Sequence, residues 1–307
     1  MIDLILHLLL FASIYVVLTL SLNLIIGFTG QVSLGHAAFF GIGAYMGSVM
    51  VTYMDLPYIL SFFAAFCAAG IVGALLGIPT LRLKDDYLAI VTLGFGVIVT
   101  IVILNIDYLG GPDGIFGIPS PVIAGNKLAT KLEFFIFNWS VMAVTILFMY
   151  RITRSRVGRA LKAIRDDEVT AQVMGINTTK YKILAFGLGA AFAGAAGSLY
   201  GSYIHYIQPH DFGLSASILV LCMVVIGGMG SIPGSIIGAF LLFLLPEFFR
   251  YLPTIYKFAA EHLNLTFVAD YQNISAIADY QNLMYGAALV LLLIVRPQGL
   301  MGKYRVK

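Results

Sequence analysis

Asn23-Leu-Ile-Ile-Gly-Phe-Thr-Gly-Gln-Val-Ser-Leu-Gly-His36 lies inside a stretch, Asp3 to Asp55, whose 51 intervening residues include no Asp, Glu, Lys or Arg. A bilayer crossing needs about 20 apolar residues, so the stretch is too long for one helix and suits two. Between them stand Gly27, Gly30, Gln31, Ser33, Gly35 and His36. Polar groups and irregular backbone at membrane depth persist where protein or a water-filled path surrounds them. This segment predicts a polytopic membrane protein with a polar route through it.

Composition agrees. Hydrophobic residues make up 60% of the 307 and charged residues 11%, against roughly 25% charged in soluble domains. A soluble class is excluded. Cys67 and Cys222 fall inside apolar runs and read as buried small hydrophobes rather than a disulfide or metal pair. The N-terminus lacks a basic region and a small-residue cleavage site, so the first helix is expected to be retained.

Apolar runs give nine candidate crossings, near 4–26, 33–53, 57–81, 87–106, 134–150, 183–204, 213–226, 232–252 and 280–295. The seventh and ninth are short, so the expected architecture is all-α, a single transmembrane bundle of about 8–10 helices over residues 1–307. Most Lys and Arg residues fall in the loops at 82–86, 151–182 and 296–307, which alternate crossings place on one side. Cytoplasmic loops carry such an excess. The C-terminus is therefore expected in the cytoplasm, the N-terminus outside, and loops 107–133 and 253–282 outside.

Small residues recur every four positions in two runs, Ala65, Ala69, Gly73, Gly77 and Ala185, Gly189, Ala193, Gly197, Gly201. Such ladders let helices approach closely in lipid, and packing within one subunit outweighs an oligomer contact. Tyr53, Tyr58, Trp139 and Tyr150 near run ends read as interface anchors. Ile26-Gly-Phe-Thr-Gly30 is echoed by Ile226-Gly-Gly-Met-Gly230, as in transporter folds with repeated halves.

An enzyme reading finds little. There is no phosphate-binding GxxxxGK[ST], HExxH, GxSxG or CxxC, and His36 and His205 lack companions at ligand spacing. No metal or cofactor is expected, and nothing points to nucleic acid. The centres of the runs hold no charged residue, which takes weight from proton-relay transporters; uphill movement would draw on another subunit. Segment 151–182 is the candidate for receiving that work. Leu161 and Ile164, then Val169 and Val173, give short helical periodicity, with Gly175 as a stop. Two short amphipathic helices suit docking in a partner groove; a solvated loop that only sets topology is the plainer alternative.

The stretch Asn23 to Tyr45 resembles the signature of branched-chain amino acid ABC transporter permeases, closest to the LivM type. Three more segments match the same family: Arg156-Val-Gly-Arg-Ala-Leu-Lys-Ala-Ile-Arg-Asp-Asp-Glu168 through Met174-Gly-Ile-Asn177, Gly227-Gly-Met-Gly-Ser-Ile-Pro-Gly234, and Arg296-Pro-Gln-Gly-Leu300. Thr170 departs from the more usual Ala, and loop 253–282 with its doubled Asp-Tyr-Gln-Asn falls outside the pattern. The resemblance implies a membrane subunit of an ATP-driven importer in the inner membrane. Its implied partners are a second, LivH-like permease, two cytoplasmic LivG/LivF-like ATPases that bind the ATP, and a periplasmic binding protein selecting leucine, isoleucine or valine. It implies coupling roles for Arg159, Arg165, Asp166, Asp167, Glu168 and Gly175. With polarity, it implies a translocation path at Gln31, Ser33, Gly35 and His36. Two alternatives stand beside it: a urea or short-amide permease of the same family, and a self-contained channel or facilitator for a small neutral solute.

Overall fold

The computed structural model describes residues 2–80, 85–123, 126–127, 130–245, 286, 290 and 298–302. Ten helices are described: α1 (Ile2–Thr29), α2 (His36–Thr52), α3 (Tyr58–Thr80), α4 (Asp85–Leu104), α5 (Lys131–Arg154), α6 (Arg156–Asp166), α7 (Glu168–Val173), α8 (Thr178–Ile204) and α9 (Leu214–Gly227), then α10 (Ile232–Leu245). Six apolar spans are long enough to cross a membrane, and two shorter apolar helices, α2 and α10, accompany them. The chain is an all-α multi-pass membrane bundle. The ninth run apart from Gly286 and Val290, loop 253–282, Arg82, Lys84, Arg296 and Lys303 to Lys307 lie outside the described residues.

Helices α1 and α8 form the interior, whereas few residues of α3, α4 and α5 are buried. The large side chains exposed along the middle of these three are apolar, among them Phe63, Ile71, Leu75, Ile90, Ile98, Ile101, Ile136, Val144 and Leu147. In water that surface would be a liability; in hydrocarbon it is the solvated face. Among the described residues two short antiparallel pairs interrupt the helices, Ile115–Phe116 with Tyr206–Ile207 and Val122–Ile123 with Asn126–Lys127.

The small-residue ladders pack within this chain, but not onto each other as two single stripes. Helix α8 presents small residues on more than one face. Toward α3, a Cβ on Gly194 would lie 2.4 Å from Ala69 Cβ, and one on Gly73 would lie 2.2 Å from Ala190 Cβ. Toward α2, a Cβ on Gly197 would lie 2.0 Å from the Phe40 carbonyl oxygen, and toward α1 one on Gly189 would lie 2.7 Å from Ile25. A four-residue repeat drifts around a 3.6-residue helix, so one ladder serves successive partners along α8.

Two readings are corrected. Tyr58 is no interface anchor: it is 2% exposed and packs edge-on against Phe137. Cys67 is exposed on α3 and Cys222 half-buried, both as free thiols. An apolar run shows that a residue lies in a span, but not whether it faces protein or lipid.

Helix direction follows from facing residues. Phe40, Ser48 and Gly43 of α2 meet Gly197, Gly201 and Gly194 of α8, so α2 and α8 run parallel. Phe11 stacks on Phe243 while Asn23 meets Ser235, so α10 runs antiparallel to α1. The end of α1 near Thr29, the start of α8 and the helices α6 and α7 therefore share one end of the bundle, the basic end.

Candidate functional site

Helix α2 does not begin at the basic end. His36 Nε2 bonds Ser21 Oγ at 2.7 Å, and Ser21 stands eight residues before the end of α1, about 12 Å up the helix at 1.5 Å per residue. The chain between, residues 30–35, is non-helical and climbs that distance inside the bundle. Ser21 Oγ donates to the Leu18 carbonyl at 2.7 Å, so its lone pair is left for the imidazole, which carries its proton on Nε2 and leaves Nδ1 as an acceptor. His36 Nδ1 and Ser33 Oγ are both buried without a hydrogen-bond partner.

The climbing segment is held against α4. Leu34 N donates to Thr92 Oγ1 at 3.0 Å. Gly35 is pressed on the same residue: a Cβ there would sit 1.9 Å from the Thr92 carbonyl oxygen. Gln31 is 3% exposed and its Oε1 accepts from Thr29 Oγ1 at 3.2 Å. The four predicted path residues thus gather in one buried polar turn.

Helix α9 also begins within the bundle. Ser217 Oγ accepts from Ala37 N at 3.0 Å, and Phe212 packs on Gly41, Phe40 and Tyr45. Helix α2, of 17 residues, is about 25 Å long and too short to cross a roughly 30 Å hydrocarbon core, and α9, of 14 residues and about 21 Å, reaches the length of a crossing only with the 3-10 turn Pro209–Phe212 before it. Their N-termini meet. Each starts from a glycine, Gly35 or Gly213, with no side-chain cap. A cleft of about 170 Å³ lies at the junction, lined by Leu34, Gly96, Thr100, Phe212, Gly213 and Ser217. Two helix N-termini bring positive dipole ends and free N–H groups to one place.

At the basic end the predicted coupling residues divide by what they touch. Arg165 donates to the Gly27 carbonyl oxygen, placing a cation at the C-terminus of α1, where the dipole favours it; Lys162 lies over the Phe28 ring. Asp167 caps α7, its Oδ1 accepting from Thr170 N at 2.8 Å. Glu168 pairs with Lys182 of α8 at 2.5 Å, and Gln172 donates to Thr178 Oγ1 at 3.0 Å. Gly175 ends α7 with φ +82°, a left-handed conformation that glycine adopts without a Cβ penalty. Arg159 and Asp166 are exposed, and the Arg159 guanidinium donates to the nearby Arg154 carbonyl.

These contacts hold up the face that the sequence reading placed on a short docking helix through Val169 and Val173, and the structure adds Met174 to it. Val169, Val173 and Met174 are 70%, 81% and 77% exposed, at the end of the bundle rather than on its lipid-facing flank. The Val169–Val173 spacing marks an apolar face on a six-residue helix too short to bury it alone.

The family described as the branched-chain amino acid transport system permease component matches residues 4–293 of the chain. The high-affinity branched-chain amino acid transport system permease protein LivM of Salmonella typhimurium is 36% identical over 94% of this chain and 68% of its own length. LivM of Escherichia coli K12 is 35% identical with the same coverage. LivH of Salmonella typhimurium is 26% identical over 96% of this chain and 93% of its own length. No solved structure matches. With its helical bundle and its matched residues, this chain belongs to the family of branched-chain amino acid transport system permease components.

Proposed function

We propose that this chain is one membrane subunit of an ATP-driven importer in the cell inner membrane, moving leucine, isoleucine or valine delivered by a periplasmic binding protein. Its basic end faces the cytoplasm and the start of α1 faces outward, in keeping with the Lys and Arg distribution. A LivH-like permease pairs with it, in line with the likeness of this one chain to both LivM and LivH proteins. ATP is hydrolysed by two LivG/LivF-like subunits, and this chain supplies no catalytic residue.

The carrying observation is the exposed apolar cap Val169, Val173 and Met174 on a segment tied to both α1 and α8. An apolar helical face with rigid attachments fits a groove in a partner and passes force inward. The turn at Gln31, Ser33, Gly35 and His36 is the closed stretch of the translocation path. Its unpartnered Ser33 Oγ and His36 Nδ1 are groups a solute meets once α4 draws away. The N-terminal turns of α2 and α9 suit the carboxylate of an amino acid.

Uptake of radiolabelled leucine and of urea in a strain lacking the system, restored with this chain and its partners, tests the reading. Leucine uptake that requires ATPase activity is expected. Urea uptake without leucine uptake would move the substrate class, and passage through the chain reconstituted alone would replace the importer with a facilitator.

A further inference from the structure

Asn23 lies one turn before Gly27, and every polar atom of its side chain is used. Nδ2 donates to the Ser231 carbonyl at 3.1 Å and to Ser235 Oγ at 2.7 Å, while Oδ1 accepts from Gly230 N at 2.8 Å. The residue is 1% exposed, so unmade bonds would be costly. Gly27 is small because this contact fills its side: a Cβ there would lie 1.7 Å from Asn23 Oδ1 and 2.4 Å from Gly230 N. The two echoed motifs, Ile26 to Gly30 and Ile226 to Gly230, therefore touch, and Gly30 and Gly230 share a left-handed backbone at φ +78° and +80°.

Each motif has its helix end held by a different element. Gly27 O receives Arg165. Ile226 O and Gly227 O receive Leu300 N at 2.8 Å and Met301 N at 3.0 Å. Beyond the joint, α9 and α10 form a stiff hairpin. A Cβ on Gly227 would lie 2.1 Å from the Gly234 carbonyl oxygen, and one on Gly238 2.2 Å from that of Met223. Thirteen residues back from Gly227, about 20 Å along α9, that hairpin ends at Leu214 and the cleft.

We propose that Asn23 is a positioning residue for transport, the joint through which displacement of Arg165 and α1 reaches the α9–α10 hairpin and moves the start of α9. The proposal rests on the coupling role given above to the α6–α7 segment. Contact by contact the route is Arg165, Gly27, Asn23, Gly230, then α9 as a lever to Ser217. A joint of this kind needs bonds to both partners at once, and Asn offers both a donor and an acceptor.

The test is the number of ATP molecules hydrolysed per leucine imported by the assembled transporter in liposomes with its binding protein. Asn23→Ala is expected to raise that ratio at least tenfold while the ATPase subunits still co-purify and hydrolyse ATP. Ser235→Ala, which removes one of the three bonds and leaves the backbone partners, is expected to raise it about threefold. The ratio is taken per assembled complex, so a loss of yield alone does not move it. An unchanged ratio in Ser235→Ala, or in Asn23→Ala where it assembles, overturns the joint. A wild-type complex that hydrolyses ATP without importing leucine would instead overturn the proposed function.

Discussion

Arg165 reaches from α6 to the backbone carbonyl of Gly27, so the basic end of the bundle is gripped at the last turn of its most buried helix. A hydrogen bond from a charged donor contributes roughly 1.5–3 kcal/mol. Arg165→Ala is expected to cut leucine uptake about tenfold or more while the apolar cap, and hence co-purification with the ATPases, is retained. Arg165→Lys should recover part of the activity, since it keeps the charge at the helix end but loses the fork of donors. Unimpaired uptake in the alanine variant would remove this contact from the coupling path.

The cap makes the complementary prediction. Val173→Asp adds a charge to a residue 81% exposed, so expression and melting temperature should stay near wild type. Pull-down of the ATPase subunits is expected to fail. Retained pull-down would place the docking surface elsewhere.

Glu168 and Lys182 allow a separation of fold from docking. Their 2.5 Å pair leaves the lysine side chain 8% exposed and the glutamate 39%, and removing the partner of a buried charge is more damaging than the pair is stabilising. Glu168→Lys is expected to lose uptake, and the exchange Glu168→Lys with Lys182→Glu to restore a substantial share of it. Absence of rescue would mean that Glu168 acts on a partner directly rather than through α8.

Two glycines near the cleft differ sharply. A Cβ on Gly35 would lie 1.9 Å from backbone of α4, whereas one on Gly94 of the same α4 would meet nothing within 4 Å. Gly35→Ala is expected to lower uptake severely and Gly94→Ala to leave it near wild type. Equal behaviour in a transport assay would count against the packing of 30–35 on Thr92.

Asn138 supplies a stability test away from the site. It donates to Leu10 O at 3.1 Å and Ser13 Oγ at 2.9 Å, joining α5 to α1. Hydrogen bonds between membrane helices contribute about 0.6 kcal/mol on average and up to about 1.7. Asn138→Ala should therefore lower the melting temperature by a few degrees without abolishing uptake; complete loss of folded protein would show a larger role.

The spans and the α6–α7 segment were legible because hydropathy and charge report directly on lipid and water. Gly175 was legible because a left-handed helix stop favours that residue. The broken start of α2 was not: the run from Ser33 to Tyr53 carries no charge to mark where its helix begins, and the meeting of His36 with Ser21 and of Gly35 with Thr92 reveals where the backbone turns helical. Tyr58 and Cys67 exchanged their expected places for a related reason, since in a membrane both faces of a helix are apolar and periodicity no longer separates them. The partners of Asn23 lie more than 200 residues away, beyond any local pattern.

The coil at 30–35 has a mechanical consequence. A full-length helix resists compression because each turn is bonded to the next, but a column whose lower third is unwound has slack. Residues can be reeled from coil into the first turn of α2, or paid back out, without breaking the ladders of α1 or α8. In the mechanism proposed above, that slack lets the start of α2 follow α4 and α9 as they move.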